Sequence, residues 1–349
     1  MDRYHRQRLL PAICDEGQNR LGRAHALIIG CGALGCASAD LLARAGVGTL
    51  TIVDRDLVEQ TNLQRQILFD EKHAHERTPK AIAAAERIGE INHNVRTVPA
   101  VADFSASNAE SIASANSTPD VILDGTDNFE TRFLINDLAV KLGIPYAYAG
   151  AIGTRGMAAT FLPGSGPCLR CLFDGPPPAG SQPTCDTAGV LGPVISMVAG
   201  VQAAEAMKVL IGAHGDVRTT LLEFDAWAGR LRELELEPMR DAECPCCAGR
   251  TFGYLDSPPA GPVAICGKGA MQVSPAPGHR VDLQEISGRL GPHGMFTATR
   301  YLLRGTLTNE IGEAGNPIGL TVFGDGRAIV DGVCDPSRAR SIYAKYIGA

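Results

Sequence analysis

Two cysteine pairs share one spacing, Cys168-Leu169-Arg170-Cys171 and Cys244-Pro245-Cys246-Cys247. Two such C-x2-C knuckles are able to close a tetrahedral four-thiolate site of the kind zinc takes. Free buried thiols are the other reading, and Cys246 offers itself as a substitute ligand. A different chemistry stands at Gly30-Cys31-Gly32-Ala33-Leu34-Gly35, where a strand-to-helix glycine turn presents backbone N–H groups and a positive dipole end to a phosphate. Asp54 follows about twenty residues later at a strand's end, where a carboxylate accepts from both ribose hydroxyls or merely caps a turn. Thr61-Asn62-Leu63-Gln64-Arg65-Gln66 and then Lys80 add an amide and two cations. They suit the triphosphate of ATP better than a pyrophosphate under a nicotinamide. Asp127, in Asp124-Gly125-Thr126-Asp127-Asn128, is a candidate Mg²⁺ ligand or the cap of the next helix. Cys185 is a thiol in a loop rich in Gly and Pro.

These residues need a scaffold that gathers them at one edge. Residues 24–29 read as a strand, 37–45 as a helix and 49–53 as a strand, which makes a βαβ unit around the glycine turn. Beyond it, 79–91 and 132–142 read as helices, while 94–101, 120–123 and 144–149 read as extended. This alternation predicts an α/β fold, a doubly wound, mostly parallel Rossmann-like sheet. Asp127 then falls at the carboxyl edge of the sheet, where such folds bind ligands. Residues 174–189 read as a mobile loop, and 190–211 as a buried amphipathic helix that does not span a membrane.

The chain's 349 residues exceed one ordinary domain, and 45% hydrophobic with 20% charged residues is globular composition. A net charge of −6 provides no basic field for a nucleic-acid backbone. The polar N-terminus lacks the apolar run of a secretory signal, so a cytoplasmic setting is expected. There the eleven cysteines pose a question of metal or thiol chemistry, not of disulfides. Cys14, Cys31, Cys36, Cys266 and Cys334 lie at no metal spacing and read as small apolar residues.

Arg3-Tyr4-His5-Arg6-Gln7, the glycine turn, Asp54, Asn62 to Gln66, Lys80 and Thr126-Asp127-Asn128, in this order and spacing, resemble the MoeB/ThiF adenylyltransferases, which activate ubiquitin-like sulfur carriers. The resemblance covers roughly residues 3–250. It implies that ATP is bound by Gly30, Gly32, Ala33, Gly35, Asp54, Thr61, Asn62, Leu63, Gln64, Arg65, Lys80, Asp127 and Asn128. It also implies a homodimer in which Arg6 reaches the partner's triphosphate, a structural zinc on Cys168, Cys171, Cys244 and Cys247, and a partner ending in Gly-Gly. The expected reaction joins the carrier's terminal carboxylate to AMP, with Arg6, Arg65, Lys80 and Mg²⁺ at Asp127 neutralising the phosphates. In some relatives the thiol matching Cys185 links covalently to the carrier; in others it is dispensable.

A Pro-rich connector within 251–262 separates an adenylyltransferase domain, 1–250, from a tail, 263–349. Some relatives end in a rhodanese domain, but Cys266-Gly267-Lys268-Gly269-Ala270 is a poor match to a rhodanese cysteine loop. A small α+β domain is expected, with a hairpin around Asp325-Gly326 and a terminal helix at 336–347; it would bind the carrier, a sulfur donor or the dimer mate. Two other readings stand: an NAD-dependent oxidoreductase, and a non-catalytic scaffold that binds the carrier.

Overall fold

The computed structural model describes residues 2–176, 188–257, 263–265, 269–275 and 280–348. The chain divides into two compact units, Met1–Ser257 and Pro258–Ala349. Cys185, Cys266, most of the loop expected at 174–189 and the Pro-rich stretch 258–262 lie outside the described residues.

In the first unit, β1 (His25–Ile29), β2 (Thr49–Val53), β3 (Arg96–Ala100), β4 (Val121–Asp124) and β5 (Tyr146–Ile152) pair in parallel. The order β3-β2-β1-β4-β5 reverses direction between β1 and β4, the switch point at which open α/β sheets form their crevice. Every residue of β1 is buried, with Ala26 and Ile28 in one apolar cluster and Leu27 and Ile29 in another. The helices Ala33–Ala45 and Lys80–Ile91 pack into the first cluster and Phe129–Leu142 into the second, so both faces are covered.

The sheet is more mixed than the sequence suggests. β6 (Arg155–Phe161), β7 (Thr220–Asp225) and β8 (Arg230–Glu235) continue it in antiparallel fashion. The helix Gly192–Leu210 is long and apolar enough to cross a membrane by composition alone. Here it lies against β4, β5 and β6 as a core helix, with no clean polar face. Its two buried polar residues have partners. Ser38 donates to Gln202 Oε1 at 2.6 Å, and Gln202 Nε2 donates to the Asp124 and Ala147 carbonyls at 2.9 and 2.8 Å. The Arg218 N–H and the Lys208 ammonium both donate to Glu205.

The second unit is an antiparallel sheet of β9 (Val263–Ile265), β10 (Ala270–Val273), β11 (Gly294–Ala298), β12 (Leu302–Ile311), β13 (Pro317–Phe323) and β14 (Ala328–Asp331), ordered β11-β12-β13-β14-β10-β9. The turn at Asp325 and Gly326 joins β13 to β14. The helices Leu283–Leu290 and Pro336–Tyr346 share its apolar core, which includes Leu303, Leu320, Val322, Val330 and Ile342.

Candidate functional site

The glycine turn divides its labour. Gly30 has φ +86°, and a Cβ there would meet the Gly125 carbonyl oxygen at 2.7 Å; a Cβ on Gly35 would meet the Gly30 oxygen at 1.9 Å. These two glycines let β1, the helix Ala33–Ala45 and the loop after β4 close on one another. Gly32 is different: its nearest neighbour is the Gly125 oxygen at 3.7 Å, so its face is open to a ligand. The first helical bond runs from the Cys36 N–H to the Gly32 carbonyl at 3.0 Å. Earlier N–H groups, Ala33 among them, therefore lack intrahelical partners and suit a phosphate.

Asp54 ends β2 almost fully buried. Its carboxylate accepts from the Cys31 N–H at 2.6 Å and from the Asp56 N–H at 2.7 Å, which ties the end of β2 to the glycine turn. Burial raises its pKa, opposed by Lys80. The Lys80 ammonium, itself buried, donates to Asp56 at 2.9 Å. Burial works against its charge, and the carboxylates of Asp54 and Asp56 outweigh that, so its pKa rises. A buried cation thus stands beside the turn before any phosphate arrives.

Asp124, at the end of β4, is fully buried and accepts from the Thr126 N–H at 2.8 Å, the Thr126 hydroxyl at 2.7 Å and the Tyr146 hydroxyl at 2.8 Å. Arg132 Nε lies 3.4 Å from the same carboxylate, while an Arg132 Nη donates to the Thr126 carbonyl at 3.0 Å. This network clamps Thr126 inward. Asp127, the next residue, is exposed and makes no hydrogen bond or ion pair with the described residues. The cap of the following helix is Asn128, whose side chain accepts from the Thr131 N–H at 2.8 Å, so Asp127 does not serve as the cap.

The remaining predicted ligands are placed unequally. Asn62 is buried and its Oδ1 accepts from the Glu59 N–H at 3.0 Å, a structural duty; Leu63 packs partly against the core. Thr61 and Gln64 are exposed, and Arg65, half-buried, donates to the Thr61 carbonyl at 2.9 Å. Arg6 is exposed on the short helix His5–Arg8. The neighbouring Gln7 donates to the Ala45 carbonyl at 2.9 Å, and Tyr4 accepts from Asn92 at 2.8 Å. Ala45 is the last residue of the thirteen-residue helix that Gly32 begins. At 1.5 Å per residue, Arg6 lies about 20 Å along that helix from its own chain's turn.

The Sγ atoms of Cys168, Cys171, Cys244 and Cys247 all lie within 4.8 Å of one another, with Cys168–Cys244 at 3.7 Å and Cys171–Cys247 at 3.5 Å. Four thiolates bound to zinc at about 2.3 Å sit about 3.8 Å apart, so the donor set fits that ion. Cys246 is not one of the four but borders the cluster beside Cys168: Asn136 Nδ2 donates to the Cys246 sulfur at 3.3 Å and lies 3.8 Å from that of Cys168, while Asn136 Oδ1 accepts from the Leu169 N–H at 2.8 Å.

A nucleotide turn, a buried lysine beside it and a paired-knuckle cluster on one chain are the features of the family that the sequence resembles, and a model of that family, described as the ThiF family, matches residues 4–246. The chain belongs to the ThiF family. Among ThiF family relatives, the sulfur carrier protein ThiS adenylyltransferase of Bacillus subtilis (strain 168) is 40% identical over 348 residues, 99% of each chain. The sulfur carrier protein adenylyltransferase of Thermus thermophilus is 40% identical over 252 residues, which span 71% of this chain and 90% of that protein. The SAMP-activating enzyme E1 of Haloferax volcanii is 38% identical over 248 residues, 71% of this chain and 88% of that one. The crystal structure of E. coli MccB with succinimide superposes with a TM-score of 0.60 at 19% identity, over 71% of this chain and 74% of that chain, a likeness of fold.

Two further residues of the crevice, Arg132 and Tyr146, escape sequence reasoning. Their signal is a partner that comes close only when β4, β5 and the helix Phe129–Leu142 assemble.

Proposed function

We propose that this protein adenylates the C-terminal glycine carboxylate of a small ubiquitin-fold sulfur carrier ending in Gly-Gly, consuming ATP and releasing pyrophosphate. The observation that carries this reading is the convergence of the open Gly32 turn, buried Asp54 and Lys80, and exposed Asp127 at one edge of the sheet. The names of the relatives support it.

In this reading the ribose is held at Asp54 and the phosphates at the N–H groups around Gly32 and Ala33, flanked by Lys80 and Arg65. Asp127 would hold Mg²⁺, which when bound supplies positive charge against the phosphates. The carrier's carboxylate is ionised at neutral pH and needs no general base. What it needs is relief from the repulsion of a polyanion and alignment with the α-phosphorus, and cations in a crevice provide both. Arg6 serves the site of a second copy in a homodimer, a role favoured by its distance from its own turn. The four-cysteine cluster would hold zinc as a structural tie, without a place in the reaction. The reaction belongs in the cytoplasm, and the Cys185 thiolate would take the carrier's acyl group from the adenylate as a thioester, breaking the acyl–phosphate bond and releasing AMP, before a sulfur donor acts.

Hydroxylamine tests the proposal by trapping an acyl-adenylate as a hydroxamate. The carrier's terminal glycine is expected to gain a hydroxamate only with enzyme and ATP present; an unmodified carrier under these conditions contradicts the reading.

A further inference from the structure

Arg55 follows the ribose-binding Asp54 directly and is half-buried, its side chain 32% exposed. One Nη lies 3.1 Å from Asp103 Oδ1, in the loop after β3, and its Nε is 3.8 Å from Asp56 Oδ1. The Asp103 loop is braced in turn, since Asn108 Nδ2 donates to the Asp103 carbonyl at 2.7 Å and Asn108 Oδ1 accepts from the Ser105 N–H at 2.9 Å. Burial works against the charge of Arg55, but Asp103, Asp56, Asp54 and Asp127 outweigh it and raise its pKa. Asp127 belongs to the loop after β4, so Arg55 stands within electrostatic reach of the far wall of the crevice.

A guanidinium forms ion pairs and hydrogen bonds in its own plane. Here Asp103 accepts a hydrogen bond from one Nη and Asp56 lies within ion-pair distance of Nε, so the charge is already matched. What remains to a ligand is the flat face, which attracts aromatic rings. The position of that face matters. Phosphates at Gly32 lie beyond β1 and a ribose at Asp54 lies beyond β2, so in the order β3-β2-β1-β4 the group on the other side of the ribose falls toward the loop after β3, which carries Asp103.

We infer that the Arg55 guanidinium, held by Asp103 and Asp56, is the platform on which the purine ring of the nucleotide packs. The inference rests on the proposed use of ATP. It makes Arg55 a determinant of affinity for the base, distinct from the cations that face the phosphates.

Calorimetric binding of ATP and of inorganic tripolyphosphate, which has no base, separates these roles in the full chain. Arg55→Ala should weaken ATP binding on the order of three- to tenfold and leave tripolyphosphate binding unchanged. Arg55→Phe, which keeps a flat face without charge, should bind ATP nearly as wild type does, while Arg55→Lys, which keeps charge without the face, should resemble the alanine variant. Thermal midpoints near that of wild type would show that the variants fold. Equal loss for ATP and tripolyphosphate, unchanged ATP affinity in Arg55→Ala, or full affinity in Arg55→Lys would each overturn the inference. Wild-type protein that binds neither ligand would instead overturn the underlying adenylyltransferase reading.

Discussion

The nucleotide crevice and the cysteine cluster both gather polar groups from distant segments, but they balance them differently. In the crevice each buried charge already has a protein partner: Lys80 has Asp56, Asp54 has two backbone N–H groups, and Asp124 has Thr126, Tyr146 and Arg132. In the cluster, the sulfur pairs of Cys168 with Cys244 and Cys171 with Cys247 face mainly each other. A site whose charges are paired in advance holds its shape while ligands come and go. Four converging thiols instead gain most of their stabilisation from an ion that stays. The crevice should therefore govern rate and the cluster stability.

The largest effect should follow removal of the metal. Cys171→Ser is expected to lower zinc content below one ion per chain and to reduce folding stability by several kcal/mol, on the order expected when a structural thiolate site is broken. Metal analysis beside calorimetry reads both. A wild-type protein without zinc, whose four thiols alkylate freely, would abolish the contrast.

Asp127→Ala should do the reverse. Its rate of exchanging pyrophosphate into ATP should fall by about 10²–10³, or about 3–4 kcal/mol, as when one electrostatic stabiliser is lost, with the melting temperature unchanged. A lowered melting temperature would place Asp127 with the structural groups. Mixing inactive Asp127→Ala and inactive Arg6→Ala subunits should then restore about a quarter of the sites, because a mixed dimer holds one intact site of its two. No recovery after mass spectrometry confirms subunit exchange would return Arg6 to its own chain.

The pH profile offers a finer test of pairing in advance. Lys80 has a raised pKa in the fold, so its contribution to stability is fully present below the ordinary value of 10.5 and is lost only as pH rises through the higher, folded value. Pyrophosphate exchange should accordingly show no inflection from Lys80 up to about pH 9; one that disappears in Lys80→Arg would contradict this. Smallest of all is the expected effect of Cys185→Ala on exchange. That variant should keep wild-type exchange and lose only the covalent enzyme–carrier species in non-reducing mass spectrometry. Persistence of the adduct would make Cys185 a bystander.

What could be read in advance follows the same division. The glycine turn, Asp54 and the cysteine knuckles are local in sequence, and their spacing alone carries their chemistry. The parallel strands are legible because burial on both faces makes them continuous apolar runs, as in residues 121–123. The antiparallel extension is not. β8 is exposed along its whole length, and β6 is rich in small residues, with Gly156, Ala158 and Ala159, so neither carries an alternating pattern. Arg55 and Arg132 read as ordinary surface cations until the fold brings Asp103, 48 residues from Arg55, and the buried Asp124 at the end of β4 beside them. Asp127 and Asn128 both qualify as a helix cap by type, and only the fold shows that Asn128 takes that duty.

The most direct measurement is exchange of labelled pyrophosphate into ATP, with and without a small ubiquitin-fold protein ending in Gly-Gly. The account predicts exchange that requires this carrier, disappears when its last glycine is removed, and falls by about 10²–10³ in Asp127→Ala. ATP binding without exchange for any such carrier, or tight NAD binding in its place, would contradict it.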